Sequence, residues 1–317
     1  MTQRQLWALT EGHAGMAAQA RGLAEATGLA WAERSVAPAA IWKRVPKALW
    51  PRRPDSLGGT AAQLAPPWPD GVISCGGVAA RVALAIGAAS GGATRLVHIQ
   101  DPRVARARFD LLVPLRHDGV PPAANVIETR AALHPVTRAK LDSAAIAWRD
   151  RLAALPRPLA AVLVGGSNGR HRLTPEIAAR LAAELAALAQ AGTGIALTTS
   201  RRTDPACAAL LRERLAPLGA FVWTGEGANP YLGLLALADT ILATEDSVSM
   251  VSEACATGNP VYWIELEGRS RRLAAFLAGL EADGIARPFR GRLEHWSYAP
   301  PDDTSRVAAE LRRRFGW

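Results

Sequence analysis

Hydroxyl and carboxylate side chains crowd the stretch TEDSVSMVSEACATGNPV, residues 244–261, between two apolar runs. Asp246 or Ser247 can begin a short helix, because its side-chain oxygen can accept hydrogen bonds from the first unpaired N–H groups. Ser249 and Glu253 are four residues apart and therefore share one helix face. The hydroxyls then lie at the positive end of the helix dipole, with a carboxylate one turn further on. These are the groups that a nucleoside diphosphate needs, as donors to phosphate and as an acceptor for ribose hydroxyls.

Two other apolar runs in the second half end in residues suited to phosphate. AVLVGGSNGRHR places Gly166, Ser167 and Asn168 after a strand, where backbone N–H groups can form an anion-binding nest. IALTTSRR places Ser200 and Arg201 after the next strand, and the planar fork of arginine suits bidentate phosphate binding. A tight turn or a solvated charge pair would explain either motif alone. Two such strand ends in one domain favour phosphate.

A third turn in the same half, GEGANP, precedes another helical pattern. Asn229 can cap that helix. Backbone groups around Gly225 are candidates for contact with a flat ring.

In the first half, the sequence WALTEGHAGM predicts a strand, a glycine turn and a helix start. Glu11, Gly12 and His13 occupy the turn, and a histidine there can act as a base near neutral pH. The alternative is a solvated loop histidine. The spacing lacks the G-x-G-x-x-G pattern of dinucleotide sites, which makes a nicotinamide cofactor a weak interpretation.

Charged residues also follow two later apolar runs, in QDPR and PLRHD. Asp101 and Arg103 follow one predicted strand, and His117 follows the next. Strand ends of one parallel sheet converge, so these side chains are candidates for contacts with a second substrate. A structural salt bridge between Asp101 and Arg103 is an equal alternative.

Short apolar runs alternate with longer helical patterns along the 317 residues, which is typical of α/β proteins with parallel sheets. The Pro-rich break LPRPLA predicts a first Rossmann-like domain over 1–155 and a second over 156–300, facing each other across a cleft. Residues 301–317 predict a last helix that packs back on the first domain.

The composition excludes several classes of protein. An apolar content of 49% supports a full core, and no apolar run reaches the roughly 20 residues of a spanning helix. The three cysteines are widely spaced and fit a reducing cytosol, with no zinc spacing. The net charge of +9 favours an anionic partner. Nucleic acid is not expected, because no recognition module is present.

These motifs resemble known families. Residues 160–268 are similar to the sugar-nucleotide domain of GT-B glycosyltransferases, through the pattern TEDSVSMVSEACATGNPV. The whole chain resembles bacterial relatives of the plant elongated-mitochondria fission protein, grouped with proposed lipooligosaccharide outer-core glycosyltransferases. The matching pieces run in order: TEGHAGM, QDPR, FDLLVPLRHD, GGSNGRH, TTSRRT, GEGANPY and the stretch above.

The resemblance implies a GT-B-like fold and a division of roles. Glu253 would bind the ribose, and His13 or Asp101 would deprotonate the acceptor hydroxyl. The diphosphate would be held by the helix start at 247–250, Ser249, Gly166, Ser167 and Arg201. A permanently bound cofactor is not expected, and a metal is not required in most such enzymes, although Glu245 and Asp246 leave one open.

The segment IWKRVPKALWPRRP combines tryptophan with positive charge, which suits the headgroup level of an anionic membrane. The candidate membrane surface is Trp42, Lys43, Arg44, Lys47 and Trp50; the alternative is a solvated loop with packed tryptophans. The expected function is sugar transfer from a nucleotide sugar to an envelope glycolipid or lipooligosaccharide, by a cytoplasmic protein peripheral on the inner membrane. A membrane-bound adaptor without catalysis and a nucleotide-sugar epimerase are the alternatives.

Overall fold

A computed structural model describes residues 4–46, 49–51 and 53–317 of the chain. The chain divides into two compact units. Unit 1 comprises Met1–Pro135 and Asp302–Trp317, and unit 2 comprises Val136–Pro301. The first boundary therefore lies near Pro135 and not at the Pro-rich break near residue 155.

Both units alternate strands and helices in the predicted manner. The elements up to residue 135 are β1 (Gln5–Thr10), α1 (Ala14–Thr27), β2 (Ala30–Ser35), β3 (Gly71–Cys75), α2 (Gly77–Ala89), β4 (Arg95–Ile99) and β5 (Leu111–Val113). Those that follow are α3 (Arg138–Leu152), β6 (Leu159–Val164), β7 (His171–Arg172), α4 (Pro175–Gln190), β8 (Gly194–Thr199), α5 (Pro205–Leu215), β9 (Phe221–Trp223), α6 (Tyr231–Leu237), β10 (Thr240–Thr244), α7 (Val248–Cys255), β11 (Val261–Ile264), β12 (Glu267–Gly268), α8 (Arg271–Ala282), β13 (Ala286–Pro288) and α9 (Asp303–Phe315).

The sheet of unit 1 has the order β2-β1-β3-β4-β5, with all pairs parallel. Buried apolar side chains cover both of its faces, as is usual for a parallel sheet. Beyond β5, residues 125–128 make only a single-residue parallel bridge, from Val126 to Leu112. Helix α9 joins this unit, because the Asp303 carboxylate accepts hydrogen bonds from the N–H groups of Arg130 and Ala131.

The main sheet of unit 2 has the order β13-β11-β10-β6-β8-β9 and is also parallel. Its central strand β6 is buried along its whole length. Helix α3 belongs here because Trp148 packs edge-on against Phe221 and closely against Gly233, where an added Cβ would lie 2.3 Å from the indole Cγ. That packing places the domain boundary before α3.

Candidate functional site

The loops after β10, β6 and β8 meet at the carboxyl edge of the unit 2 sheet, where β6 lies between the other two strands. Thr244 Oγ1 accepts a hydrogen bond from the Gly165 N–H at 2.7 Å and donates one to Asp246 Oδ1 at 2.6 Å. Arg202 Nη2 forms an ion pair with the other carboxylate oxygen at 2.6 Å, and the Asp246 side chain is completely buried. One carboxylate therefore joins three loops.

Two glycines allow this close approach. A Cβ added to Gly165 would lie 2.2 Å from Asp246 Oδ1, and one added to Gly166 would lie 2.0 Å from the Arg202 carbonyl oxygen. The loop after β6 consequently rests directly against the loops after β10 and β8. Both glycines are explained by packing within the protein, before any ligand is considered.

The predicted anion nest in the loop after β6 is corrected by the structure. The N–H of Ser167 donates to the Arg202 carbonyl at 3.2 Å, and the N–H of Asn168 donates to the His171 carbonyl at 2.8 Å. The Asn168 side chain closes the loop, accepting from the N–H groups of Arg170 and His171 and donating to the Asp246 carbonyl. These two N–H groups are thus engaged inside the protein.

The two neighbouring arginines in the loop after β8 have different contacts. Ser200 Oγ donates to the Gly165 carbonyl at 2.6 Å and accepts from the Arg202 N–H, so it is part of the loop framework. Arg202 is held by Asp246, whereas Arg201 is exposed to solvent. Arg201 is therefore the arginine of the pair that remains accessible to an anionic ligand.

Helix α7 begins at this edge. Ser247 is its N-cap and accepts from the Met250 N–H at 3.3 Å, which settles the choice between Asp246 and Ser247. Ser249 lies in the first turn and is half-buried. Glu253 follows one turn later and is 9% exposed, with Tyr231 donating its hydroxyl to Oε2 at 2.5 Å. Burial raises the pKa of the Glu253 carboxyl, and the Tyr231 hydrogen bond opposes that rise.

Tyr231 was not among the predicted site residues. The predicted cap at Asn229 is corrected by the structure, because the N-cap of α6 is Pro230 and no side chain caps the helix. Asn229 Oδ1 accepts instead from the N–H of Tyr231, the first residue of α6, at 2.9 Å. Gly225 has φ of +116° in open space, a conformation that suits glycine. The turn GEGANPY therefore places the Tyr231 hydroxyl within hydrogen-bonding distance of Glu253.

The carboxylates of Glu245 and Asp246 are engaged by other groups of the protein. Glu245 Oε1 accepts from the Leu266 N–H at 2.9 Å, and burial raises the pKa of its carboxyl. Asp246 is engaged by Thr244 and Arg202. Within the described residues, no group of three or more His, Cys, Asp or Glu side chains is arranged to hold a metal ion.

In unit 1, the turn after β1 lies against the start of α2. Glu11 Oε1 accepts from the Val78 N–H at 2.7 Å. Gly12 has φ of +82°, and the exposed His13 is the N-cap residue of α1, with a backbone but no side-chain role in the cap. The His13 imidazole is therefore placed by its backbone and remains accessible.

An open pocket of about 390 Å³ adjoins this turn. Its polar lining residues Glu11 and His13 are accompanied by an apolar set: Val36, Ala37, Pro38, Trp42, Val45, Trp50 and Val78. The rings of Trp42 and Trp50 lie 6.2 Å apart, and Trp50 Nε1 donates to the Val45 carbonyl. Val36 and Val78 were missed from the sequence, because they come from segments distant from the two tryptophans.

The structure shows that the two tryptophans of the predicted membrane surface line this pocket, and that other side chains of the segment are exposed. Trp50 is only 8% exposed and Trp42 is half-buried, since both pack into the pocket wall. Ile41 and Leu49 are instead 66% and 70% exposed on the same segment. Arg44 is exposed; Lys47 and the Lys43 side chain lie outside what the structure describes. Among the described residues, no helix is both long and apolar enough to cross a bilayer.

The other unit 1 candidates are held by local contacts. Asp101 binds Arg106 through both carboxylate oxygens, at 2.9 and 2.8 Å, and accepts from the Arg103 N–H. Its partner is therefore Arg106 and not the Arg103 side chain. These hydrogen bonds lower the pKa of the Asp101 carboxyl. The His117 side chain is 3% exposed beside Asp118, so a direct substrate contact would require it to move.

Comparison with known proteins gives the following matches. The profile of the family described as Mitochondrial fission ELM1 matches residues 14–315. Mitochondrial fission protein ELM1 of Arabidopsis thaliana is 32% identical over 275 residues, which cover 78% of this chain. The aligned part is 64% of that relative's length, so the chain spans less than two thirds of it.

Solved structures match over nearly the whole chain. A Medicago truncatula protein, UGT71G1, complexed with UDP-glucose matches with a TM-score of 0.54 at 10% identity, over 97% of this chain and 89% of that one. The UDP-GlcNAc 2-epimerase of Methanocaldococcus jannaschii matches with a TM-score of 0.53 at 12% identity, over 98% and 99%. The predicted α/β fold with two Rossmann-like units, of GT-B-like class, is thereby confirmed.

Proposed function

The chain belongs to the mitochondrial fission ELM1 family, and from that premise we propose that it is a glycosyltransferase. The proposed reaction moves a sugar from a nucleotide sugar to an envelope glycolipid or lipooligosaccharide. The observation that carries the proposal is the edge of the unit 2 sheet, where Asp246 fixes three loops around the start of α7. A rigid edge of this kind presents a helix N-terminus and an accessible cation to a diphosphate.

The donor roles are assigned from this geometry. Arg201 and the first turn of α7, with Ser247 and Ser249, would stabilise the diphosphate, and Glu253 would accept hydrogen bonds from the ribose. Gly166, Ser167, Asn168 and Ser200 would act indirectly, by holding the loops in place. Fold likeness to proteins whose names include UDP-glucose and UDP-GlcNAc supports a nucleotide sugar as ligand.

His13 is the proposed base. It is exposed at the start of α1, whereas both oxygens of Asp101 are bound to Arg106. The imidazole takes the proton of the acceptor hydroxyl while that oxygen forms a bond to the anomeric carbon. The bond from this carbon to the phosphate oxygen breaks, and the nucleoside diphosphate leaves with its electron pair. Arg201 and the helix dipole offset the new charge, so a resident metal is not part of the proposal.

Attachment to the membrane is proposed through the segment that carries Ile41, Arg44 and Leu49. Two exposed apolar side chains beside positive charge suit the interface of an anionic bilayer. The protein would then meet its glycolipid acceptor at the cytoplasmic face of the inner membrane.

Calorimetric titration with a panel of nucleotide sugars, including UDP-glucose and UDP-GlcNAc, tests the donor site. We expect saturable binding that Glu253→Ala weakens at least tenfold, because a hydrogen-bond acceptor for the ribose is lost. Glu213→Ala, on the exposed surface of α5, is the matched control and should bind like the unaltered protein. Absence of binding for the whole panel would sink the transferase proposal.

The location of the sugar after the reaction distinguishes a transferase from two alternatives, an epimerase and a non-catalytic adaptor. The fold likeness to an epimerase is as close as that to UGT71G1, and an epimerase would leave the altered sugar on the nucleotide. An adaptor, suggested by the family's fission role, would bind membranes without turning over any nucleotide sugar. Chromatography of radiolabelled sugar after incubation with envelope lipid distinguishes the three outcomes.

A further inference from the structure

The pocket beside His13 is lined by two chemically different kinds of side chain, polar and apolar. Its walls are formed mainly by Val36, Val45, Val78 and the two neighbouring tryptophans, whose rings are tilted by 51° to each other. The Glu11 carboxylate on the same wall is engaged by the Val78 N–H. Trp50 Nε1 is likewise engaged, by the Val45 carbonyl. His13 therefore supplies an accessible polar group beside a wall that is otherwise apolar or hydrogen-bonded.

The pocket has the size and composition of a small-molecule site. Its volume of about 390 Å³ falls within the range usual for ligand pockets, which are mostly apolar with a few placed polar groups. A purely polar sugar would leave the tryptophan and valine surfaces wet. An apolar chain without a hydroxyl would leave the imidazole unused. An amphiphile can bury its apolar part against the tryptophans and valines and place a hydroxyl beside the imidazole.

We infer that this pocket binds the apolar part of an amphiphilic acceptor, with the acceptor hydroxyl beside His13. The inference rests on the proposed function, since it names the acceptor class of that reaction. Trp42 and Trp50 contact the chain or ring of the acceptor, and burial of that group positions the hydroxyl. The exposed Arg44, two residues after Trp42, favours an acceptor whose polar part is anionic.

Alkyl β-glucosides below their critical micelle concentrations are suitable probes, and their binding can be followed by tryptophan fluorescence. We expect hexyl, heptyl and octyl β-glucoside to bind with an affinity that rises about fourfold per methylene, while glucose alone does not bind. Val45→Asp should weaken octyl β-glucoside binding at least tenfold, because it charges the apolar wall. Val45→Trp should do the same by filling the space.

Controls separate this pocket from general hydrophobic binding. Ile146→Asp removes a side chain that is 74% exposed on α3 and should leave octyl β-glucoside binding unchanged. Thermal unfolding of each variant reports whether the fold is intact. Equal affinity in Val45→Asp and the unaltered protein, or no dependence on chain length, would overturn the inference.

Failure of this inference is distinguishable from failure of the proposed function. Nucleotide-sugar binding without alkyl glucoside binding would remove only the acceptor assignment. Alkyl glucoside binding without any nucleotide-sugar binding would support the pocket as an amphiphile site and remove the transferase. The variants are measured with both probes for this reason.

Discussion

Arg202 Nη2 lies 2.6 Å from Oδ2 of Asp246, and this ion pair connects the loops after β8 and β10 across the end of β6. The Asp246 side chain is fully buried, whereas the Arg202 side chain is 43% exposed. A buried carboxylate is costly unless it is paired, so the arginine stabilises the contact between the two loops. Gly165 passes beneath the pair because it has no side chain to collide with it.

The two neighbouring arginines should separate stability from binding. Arg202→Ala leaves Asp246 buried without its ion pair and should lower the free energy of unfolding of unit 2 by about 2 kcal/mol. Arg201→Ala should change stability by less than about 0.5 kcal/mol, because the residue is exposed. It should nevertheless weaken UDP-glucose binding about tenfold through loss of a phosphate contact. Urea denaturation and calorimetry measure the two effects; the reverse pattern would refute the division of roles.

Gly166 should tolerate no side chain, in contrast to Gly169 in the same loop. An added Cβ at Gly166 meets the backbone of Arg202 and Thr203 at 2.0 and 2.6 Å, whereas none lies within 4 Å at Gly169. Gly166→Ala should destabilise unit 2 by about 1–3 kcal/mol or displace the loop. Gly169→Ala should stay within about 0.5 kcal/mol of the unaltered protein. Similar midpoints for the two variants in chemical denaturation would contradict this.

Nucleotide binding should depend on the protonation of Glu253. Its carboxyl has a raised pKa, so the ionised form that accepts hydrogen bonds from the ribose is lost as the pH falls toward that value. We expect UDP-glucose affinity to fall as the pH is lowered from neutrality toward that raised pKa. Tyr231→Phe removes the hydrogen bond that lowers the pKa, so the decline should begin at higher pH. Calorimetry across this range measures both curves.

Glu253→Gln provides the control for this pH dependence. The amide does not titrate, so its affinity should be weaker but flat with pH over the same range. A curve for Glu253→Gln that parallels the unaltered protein would assign the titration to another group. In that case Glu253 would not be the ribose acceptor.

Asp101 should contribute to stability more than to proton transfer. Hydrogen bonds from Arg106 lower its pKa in the folded state, so its contribution is present above the unfolded value of 3.8 and lost as the pH falls below it. Asp101→Asn should destabilise unit 1 by about 1 kcal/mol at neutral pH, because Arg106 is partly exposed. The difference should shrink as the pH falls through the lowered folded-state pKa, in acid titrations followed by circular dichroism. An Asp101→Asn difference that grows on acidification would be inconsistent with the lowered pKa.

His13 supplies the contrasting case. His13→Ala should reduce sugar transfer by about 100-fold or more, as expected for loss of a general base, with little change in nucleotide binding. Asp101→Asn should retain most of the transfer activity under the same conditions. Loss of activity in Asp101→Asn alone would return the catalytic role to Asp101.

Local residue patterns were enough to predict the alternation of strands and helices, the polar strand ends and the glycine turns. Hydrophobic periodicity and capping act over a few residues, so β1, α1 and the start of α7 at Asp246 or Ser247 could be predicted from their own neighbourhoods. The GT-B-like class was implied by the resemblance of these motifs to those of known families. These features need no knowledge of which strands become neighbours.

The contacts of the polar residues depend on how distant segments pack in the folded chain. Gly165 and Thr244 are 79 residues apart, and their hydrogen bond exists because β6 and β10 are adjacent in the sheet. The same adjacency commits Asp246 to Arg202, while the packing of α3 on α6 moves the domain boundary. Trp42 and Trp50 have an amphipathic composition around them, yet a pocket wall needs Val36 and Val78 from distant segments. Contacts of this range depend on chain topology, which local residue pattern does not specify.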